Sequence, residues 1–339
     1  MDDIYYKVAH RSQKEMDSFA TRYEDFDTSL IPGIFQKSLK YNVLSWKQSR
    51  SWGSSHVVYF VQVKERKDTL VLRANLGICE PEVVMQVEKL VTDMVDSMGI
   101  PTNRVLHVDV TRKKYPFDFQ IQEKLGGNDL EDHFEGIKAD YDKMSFDLGA
   151  YIARYSELQF PLFGLFDENS ALKGELAGTK KSFYDYLVTK LEDDLRYLVD
   201  FKQINTRTSD QILRIFAKHQ DIIKIKKGSL VHHDLADHNI FFRNDKITGI
   251  FDWEACVVGD SVLDLASCPT WGTHYPREKI LIEGYKSVKK LPENFIEKMN
   301  IYQLRTILWK TVFCQRIDIL TPERLERLGT VLAPFKIKL

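Results

Sequence analysis

The spacing of apolar residues changes once along this chain, and that change constrains its architecture more than any other feature. Between Tyr41 and about Gln122 the apolar residues come in short runs: Val57 to Val63, Thr69 to Arg73, Arg104 to Val108 and Phe117 to Gln122. These runs are rich in β-branched and aromatic side chains, which suit the pleated surface of a half-buried sheet. One helix is predicted among them. Pro81 stands at a first helical position, Gly99 and Pro101 stop the run, and Val83, Val84, Val87, Leu90, Val91, Met94, Val95 and Met98 recur at helical spacing. After about Leu130 the pattern turns helical. Met144, Leu148, Tyr151, Ile152, Tyr155 and Leu158 share a stripe, Ser182 caps a second stripe running to Leu198, and Ser209 opens a third that Gly228 closes. More helical patterns follow from Arg277, parted by Pro292 and Pro322. The expected class is α+β, a small β-rich part with one helix followed by a larger α-rich part. They join near Gly126-Gly127, where two glycines offer a flexible crossing. A length of 339 residues, at roughly 150 per domain, agrees with two units.

Composition removes several function classes. Lys and Arg (48) nearly balance Asp and Glu (49), a net charge of -1, so no basic field draws in nucleic acid. No apolar run approaches the roughly 20 residues of a membrane span, so no membrane partner is expected. Met1 to Asp17 carries charges throughout without an apolar signal core, and a cytoplasmic location is expected. Cys79, Cys256, Cys268 and Cys314 form no CxxC pair, which argues against a zinc ribbon or a disulfide framework.

The chemistry concentrates between His232 and Glu254. Ile240-Phe241-Phe242 and Ile247 to Phe251 flank the polar turn Arg243-Asn244-Asp245-Lys246, which reads as a β-hairpin. Asn239 enters the first strand and Asp252 leaves the second, so the hairpin brings both to its open end. An amide oxygen and a carboxylate there can share a hard cation such as Mg²⁺. Asp234 lies five residues before Asn239 on the loop approaching the same end. Taken singly, Asp234 is a turn former, and the histidines 232, 233 and 238 fit no closed tetrahedral zinc set. Together the residues match the kinase template: an Asp for the acceptor hydroxyl, an Asn five residues on, and a second Asp after a short hairpin.

With His232-x-Asp234-x-x-x-x-Asn239, Ile250-Phe251-Asp252-Trp253-Glu254, Gly259-Asp260 and Asp264-Leu265-Ala266, the chain resembles the aminoglycoside phosphotransferase family. Pro161 to Phe166 and the Leu72-Arg73 pair are similar to hygromycin B phosphotransferase-like members. The resemblance implies a bilobal protein-kinase-like fold: a small antiparallel-sheet N-lobe with one key helix (1–124) binding nucleotide, and a larger helical C-lobe (125–339) for catalysis and substrate. It also implies roles. Asp234 is the catalytic residue. Asn239 and Asp252 hold Mg²⁺. The Ser54-Ser55 loop covers phosphates of ATP or GTP, and Arg73 stands where most kinases have Lys. Glu88, beside the apolar stripe, holds Arg73, and Gln122, Glu123 and Lys124 form the hinge along the adenine edge. Two positions depart from the family pattern: Tyr155 stands where His is common, and His233 where a small residue is usual.

The function expected is transfer of a γ-phosphoryl group to a hydroxyl of a small molecule, most readily a cationic aminoglycoside. Glu254, Asp260 and the acidic segment Leu130 to Glu135 are its candidate contacts. Other acceptors (choline, homoserine, a sugar, a macrolide) fit the same motifs, as does a pseudokinase that binds nucleotide without turnover.

Overall fold

A computed structural model of the chain describes residues 21–49, 56–76, 83–271 and 274–339. Five antiparallel strands build the first sheet: β1 (Val43–Gln48), β2 (Val57–Val63), β3 (Leu70–Ala74), β4 (Val105–Asp109) and β5 (Phe119–Glu123), in the order β1-β2-β3-β5-β4. Val57, Tyr59, Val61 and Val63 alternate inward along β2, as the period of a strand requires. They share a core with Phe117, Phe119 and a helix that the apolar runs did not announce, α1 (Ile31–Leu39), whose Ile31, Ile34 and Phe35 are fully buried. The bounds of β3, β4 and β5 each lie one or two residues beyond the predicted runs.

The predicted helix is α2 (Val84–Ser97); its expected start at Pro81 lies outside the described residues. Its valines do not join the sheet's core. Val87, Val91 and Val95 belong to the large core of the helical part, and α2 touches the turns Trp253–Ala255 and Glu168–Ala171 as well as β4.

The Gly126-Gly127 join differs from expectation. Gly127 holds a φ of +104°, and a Cβ there would collide with the Phe242 carbonyl. The Gly126 carbonyl accepts the Thr248 hydroxyl at 2.5 Å. The next residues form β6 (Asn128–Asp129) and add to the hairpin as a third strand. The glycines allow a close approach that pins the crossing, so they do not act as a flexible link.

The helical part opens with α3 (Lys138–Tyr155) and a second sheet, β7 (Gln159–Phe160), β8 (Phe163–Phe166) and β9 (Gly178–Lys180). The stripe predicted from Ser182 to Leu198 is two helices, Phe183–Leu187 and α4 (Leu191–Asp200). Ser182 does cap the first, but Lys190 at φ 59° breaks the run. The next helix, α5 (Thr206–Lys218), starts before Ser209, because Asn205 accepts the Thr208 amide at 2.9 Å as its cap. Gly228 does not end that helix; it begins β10 (Gly228–Val231). There follow β11 (Ile240–Arg243), β12 (Lys246–Ile250), β13 (Val257–Gly259), α6 (Val262–Ser267), α7 (Glu278–Lys286), α8 (Phe295–Arg316) and α9 (Pro322–Leu332). The second sheet runs β7-β10-β13-β8-β9.

Helices α3 and α7 pack closely through two facing glycines. A Cβ on Gly149 would collide with the Leu281 carbonyl, and one on Gly284 with the Phe146 carbonyl. Backbone cannot yield as a side chain can. Gly149→Ala should therefore destabilise the protein by about 1–3 kcal/mol through overpacking, read as a lower urea midpoint. An unchanged midpoint would show that the two helices separate freely.

Candidate active site

Strand β10 delivers the chain into the loop His232–Asn239, and α6 shapes that loop from below. The Asp264 carboxylate accepts the His232 amide at 2.8 Å (Oδ2) and the His233 amide at 2.8 Å (Oδ1). Burial pushes Asp264 up to about 6. The Tyr155 hydroxyl donates to its Oδ2 at 2.6 Å, so the departure at Tyr155 supplies a third donor to this carboxylate. His232 is fully buried between Trp253, with ring centroids 4.4 Å apart, and the end of the hairpin. Its Nδ1 accepts the Asp234 amide at 3.2 Å and its Nε2 faces the Phe251 carbonyl at 3.0 Å, the pattern of one neutral tautomer.

That neutrality has a consequence for stability. Burial lowers His232 from 6.5 to about 3, so the folded chain declines a proton that the unfolded chain accepts below pH 6.5. The unfolded state then binds more protons, and stability falls as pH falls through this window. Going from pH 6.5 to 5 should cost about 2 kcal/mol from this group, at about 1.36 kcal/mol per unit. Urea unfolding of the parent and of His232→Gln at both pH values checks this: the variant should lose less, and equal losses would refute it.

The hairpin pairs Ile240 with Ile250, and the Phe251 amide bonds the Asn239 carbonyl at 3.1 Å. Asn239 and Asp252 thus meet at its open end. The Asn239 amide donates to the Asp234 carbonyl at 2.9 Å and to its Oδ2 at 3.1 Å, leaving the amide oxygen directed elsewhere. Asp252 sits at φ 65° in the left-handed region, which turns the chain sharply after β12. Burial and the neighbouring Glu254 push it up to about 7 against the pull of Arg73. Asp234 is half-buried. Burial raises it, while His238, Lys310 and His233 pull it down.

Between Asp234 and Asn239, Asp237 turns inward. It is fully buried, ion-paired to Arg277 at the cap of α7, and accepts the Tyr141 hydroxyl of α3 at 2.9 Å. The Arg277 Nε donates to the same Tyr141 oxygen at 2.9 Å. Sequence reasoning did not find this cluster, because Arg277 lies forty residues away and carries no local pattern.

From the other lobe, Arg73 on β3 reaches three carboxylates. Nη1 donates to Glu88 at 3.0 Å, and Nη2 to Asp252 at 3.0 Å and Glu254 at 2.5 Å. Glu88 is buried and also accepts Gln120 at 3.0 Å. Gln120 and Asn103 both donate to the Gln122 side chain, at 3.2 and 2.8 Å. The Glu123 and Lys124 amides are taken up by the Arg104 and Thr69 carbonyls. Ser54 and Ser55 lie outside the described residues. Glu254 sits on the Arg73 side, 3.1 Å from His56 Nε2. Asp260 is buried, and its oxygens accept Lys298 at 2.6 Å, Tyr302 at 3.0 Å and the Val262 amide at 3.1 Å. It ties α6 to α8, and this geometry does not support a role at the acceptor.

The donor set fits a hard cation held jointly with a ligand. Among the described residues no three His, Cys, Asp or Glu cluster to hold a metal. Asp252 and the Asn239 amide oxygen would instead offer a Mg²⁺ ion one carboxylate and one neutral oxygen, leaving its other positions to ligand and water. Among the described residues no helix is long and apolar enough to cross a membrane.

The family model described as "APH: Phosphotransferase enzyme family" matches residues 48–285. Over 103 residues the chain is 35% identical to the "Probable ketoamine kinase in tonB 3'region" of Klebsiella pneumoniae, spanning 30% of this chain and 76% of that protein. Over 99 residues it is 36% identical to the "Probable ketoamine kinase YniA" of Escherichia coli K12, spanning 29% of this chain and 31% of that protein. The solved structure of a thermostable mutant of the aminoglycoside phosphotransferase APH(4)-Ia, in ternary complex with AMP-PNP and hygromycin B, superposes with a TM-score of 0.67 at 17% identity. It covers 90% of this chain and 98% of that one. At that identity the likeness establishes the shared bilobal fold.

Proposed function

The chain belongs to the phosphotransferase enzyme family, and from that premise we propose that it transfers the γ-phosphoryl group of ATP or GTP to a sugar hydroxyl of a ketoamine. The observation that carries the reading is the convergence of Arg73, Asn239 and Asp252 from two lobes beside Asp234. Residues 1–124 then supply the nucleotide side and 125–339 the acceptor side.

Arg73 binds phosphate oxygens through its planar fork while Glu88 fixes its orientation. Ser54 and Ser55 cover the phosphates, and Gln122, Glu123 and Lys124 line the adenine edge. Asn239 and Asp252 hold Mg²⁺, which when bound neutralises phosphate charge and orients the transferred group. Asp234 orients the acceptor hydroxyl and accepts its proton. The transition state is loose, so positioning and charge neutralisation supply most of the rate.

The ketoamine acceptor is supported by the 35% and 36% identical relatives. A cationic aminoglycoside is the second reading. It is favoured by Glu131, whose carboxylate lies 2.6 Å from His238 on the catalytic loop, with Asp132 and Glu135 exposed beside it.

Acceptor-dependent release of ADP tests the proposal, with the ketoamine of lysine, hygromycin B, choline, homoserine and a macrolide offered in turn with ATP and Mg²⁺. Release with the ketoamine is expected. Release with hygromycin B alone moves the acceptor to the second reading. No release with any acceptor leaves a nucleotide-binding pseudokinase and overturns the kinase reading.

A further inference from the structure

We propose that Gln122 selects the base of the nucleotide: its side-chain amide presents N–H donors that favour guanine, with its oxygen at position 6, over adenine. The inference deepens the proposed function and rests on it.

The core of the first sheet takes Leu70, Leu72 and Ala74 from β3 and Phe119 and Ile121 from β5. Side chains alternate along a strand, so Val71, Arg73, Gln120 and Gln122 stand on the opposite face. Strand pairing sets them in rows. Arg73 lies across from Gln120, and two residues further on Phe60, Val71 and Gln122 lie side by side on β2, β3 and β5. That step spans roughly 7 Å and leads toward the Gly126-Gly127 crossing. With the phosphates on Arg73, the base reaches this second row. There Phe60, half-buried, and Val71, which belongs to neither core, offer apolar contact to the flat face of a purine, and Gln122 stands at its edge.

The Gln122 amide is oriented from Arg73 outward. Arg73 Nη1 donates to the Glu88 carboxylate at 3.0 Å, and the same carboxylate oxygen accepts Gln120 Nε2 at 3.0 Å. A carboxylate in an ion pair only accepts, so the NH₂ group of Gln120, and not its oxygen, faces Glu88. The second hydrogen of that NH₂ group goes to Gln122 Oε1 at 3.2 Å, and Asn103 Nδ2 donates to the same oxygen at 2.8 Å. Gln120 is fully buried and Asn103 is 1% exposed, so neither swings aside. Turning the Gln122 amide over would set its NH₂ group against two donors. Its oxygen is thus occupied twice. Its Nε2 makes no hydrogen bond among the described residues, and Gln122 is half-buried, so that nitrogen is not sealed from a ligand.

Two N–H donors at the edge of a purine read oxygen. Guanine offers O6 and N7, both acceptors, whereas adenine sets an exocyclic amino donor beside its N7. An amide with a free oxygen would serve adenine by accepting from that amino group. Here the oxygen is spent on Gln120 and Asn103, so adenine brings donor against donor and forfeits a hydrogen bond that guanine makes.

Calorimetric titration of the full chain with GMP-PNP and with AMP-PNP, each with Mg²⁺, reads the selection without turnover. The parent should bind GMP-PNP about tenfold more tightly, the worth of one hydrogen bond. Gln122→Met, close in size and without a donor, should bring the ratio near one by weakening GMP-PNP. Asn103→Ala leaves Gln122 Oε1 with one donor and lets the amide turn. It should lower the ratio part of the way, and it serves as the readout where Gln122→Met does not fold. A parent ratio near one, or one in favour of AMP-PNP, overturns the proposal, as does a ratio unchanged in both variants. In turnover with the ketoamine of lysine, ITP carries the 6-oxygen without guanine's amino group and should show a KM close to that of GTP. A KM like that of ATP places the selection on the amino group and overturns the proposal. Tighter binding of GMP-PNP without transfer to any acceptor supports the role of Gln122 while the kinase reading falls. Transfer with equal binding of both analogues overturns the role of Gln122 alone. No binding of either analogue overturns both.

Discussion

Asp234→Ala should lower phosphoryl transfer by about 10²–10⁴-fold, the usual contribution of a positioned base, while the nucleotide binds nearly as well as in the parent. The proposed role of Asp234 is confined to the acceptor hydroxyl. Of the groups proposed for the nucleotide, Arg73 bonds both Glu88 and Asp252 without it. The loss has a second source: the Asp234 carboxylate accepts the Asn239 amide at 3.1 Å, so its removal leaves Asn239 held by the backbone carbonyl of residue 234 alone. Titration with a fluorescent nucleotide, beside ADP-release kinetics, separates the two effects. Transfer within tenfold of the parent would sink the assignment of Asp234 as base. A nucleotide affinity lost in parallel would show that the residue serves the fold instead.

The largest stability effect is expected at Arg277. Its side chain is 2% exposed and its partner Asp237 fully buried. Removing one member of such a pair leaves an uncompensated charge in the interior, so Arg277→Met should destabilise the protein by about 3–5 kcal/mol. The double variant Arg277→Met with Asp237→Asn should recover much of that loss, since neither charge remains. Urea unfolding of the four proteins of the cycle measures the coupling. A loss below about 1 kcal/mol in the single variant would mean that water reaches the pair and screens it. The pair also shapes the loop between Asp234 and Asn239. Activity should therefore stay low in the double variant even where stability returns.

The sequence made part of this site legible and hid the rest for physical reasons. The residues from His232 to Asp264 lie close along the chain, and a hairpin has only one way to bring Asn239 and Asp252 together. Arg73 and Glu88 could be named because one ends a strand and the other flanks a helical stripe. Arg277, Tyr141, His56 and Lys310 enter by contacts with remote segments, and nothing local to them announces a partner. The two-lobed fold was legible in the change of apolar period. The second sheet was not, because its strands are two to four residues long, too short to show alternation. Lys190 and Asn205 also moved helix bounds by backbone geometry and capping, which apolar spacing does not register.

The packing of α2 alters where the molecule is divided. Along the chain this helix belongs with the first sheet, yet its valines lie in the core of the helical part and it rests on the turn that carries Glu254. Helix α2 therefore bridges the two parts: it touches β4 and takes hydrogen bonds from Arg73 and Gln120 of the sheet at Glu88 while its valines pack in the helical core. Glu88, Asp252 and Glu254 all ride on the helical body, and Arg73 reaches across to them from the sheet. One guanidinium therefore fastens the first sheet to three carboxylates from two distant stretches of the chain.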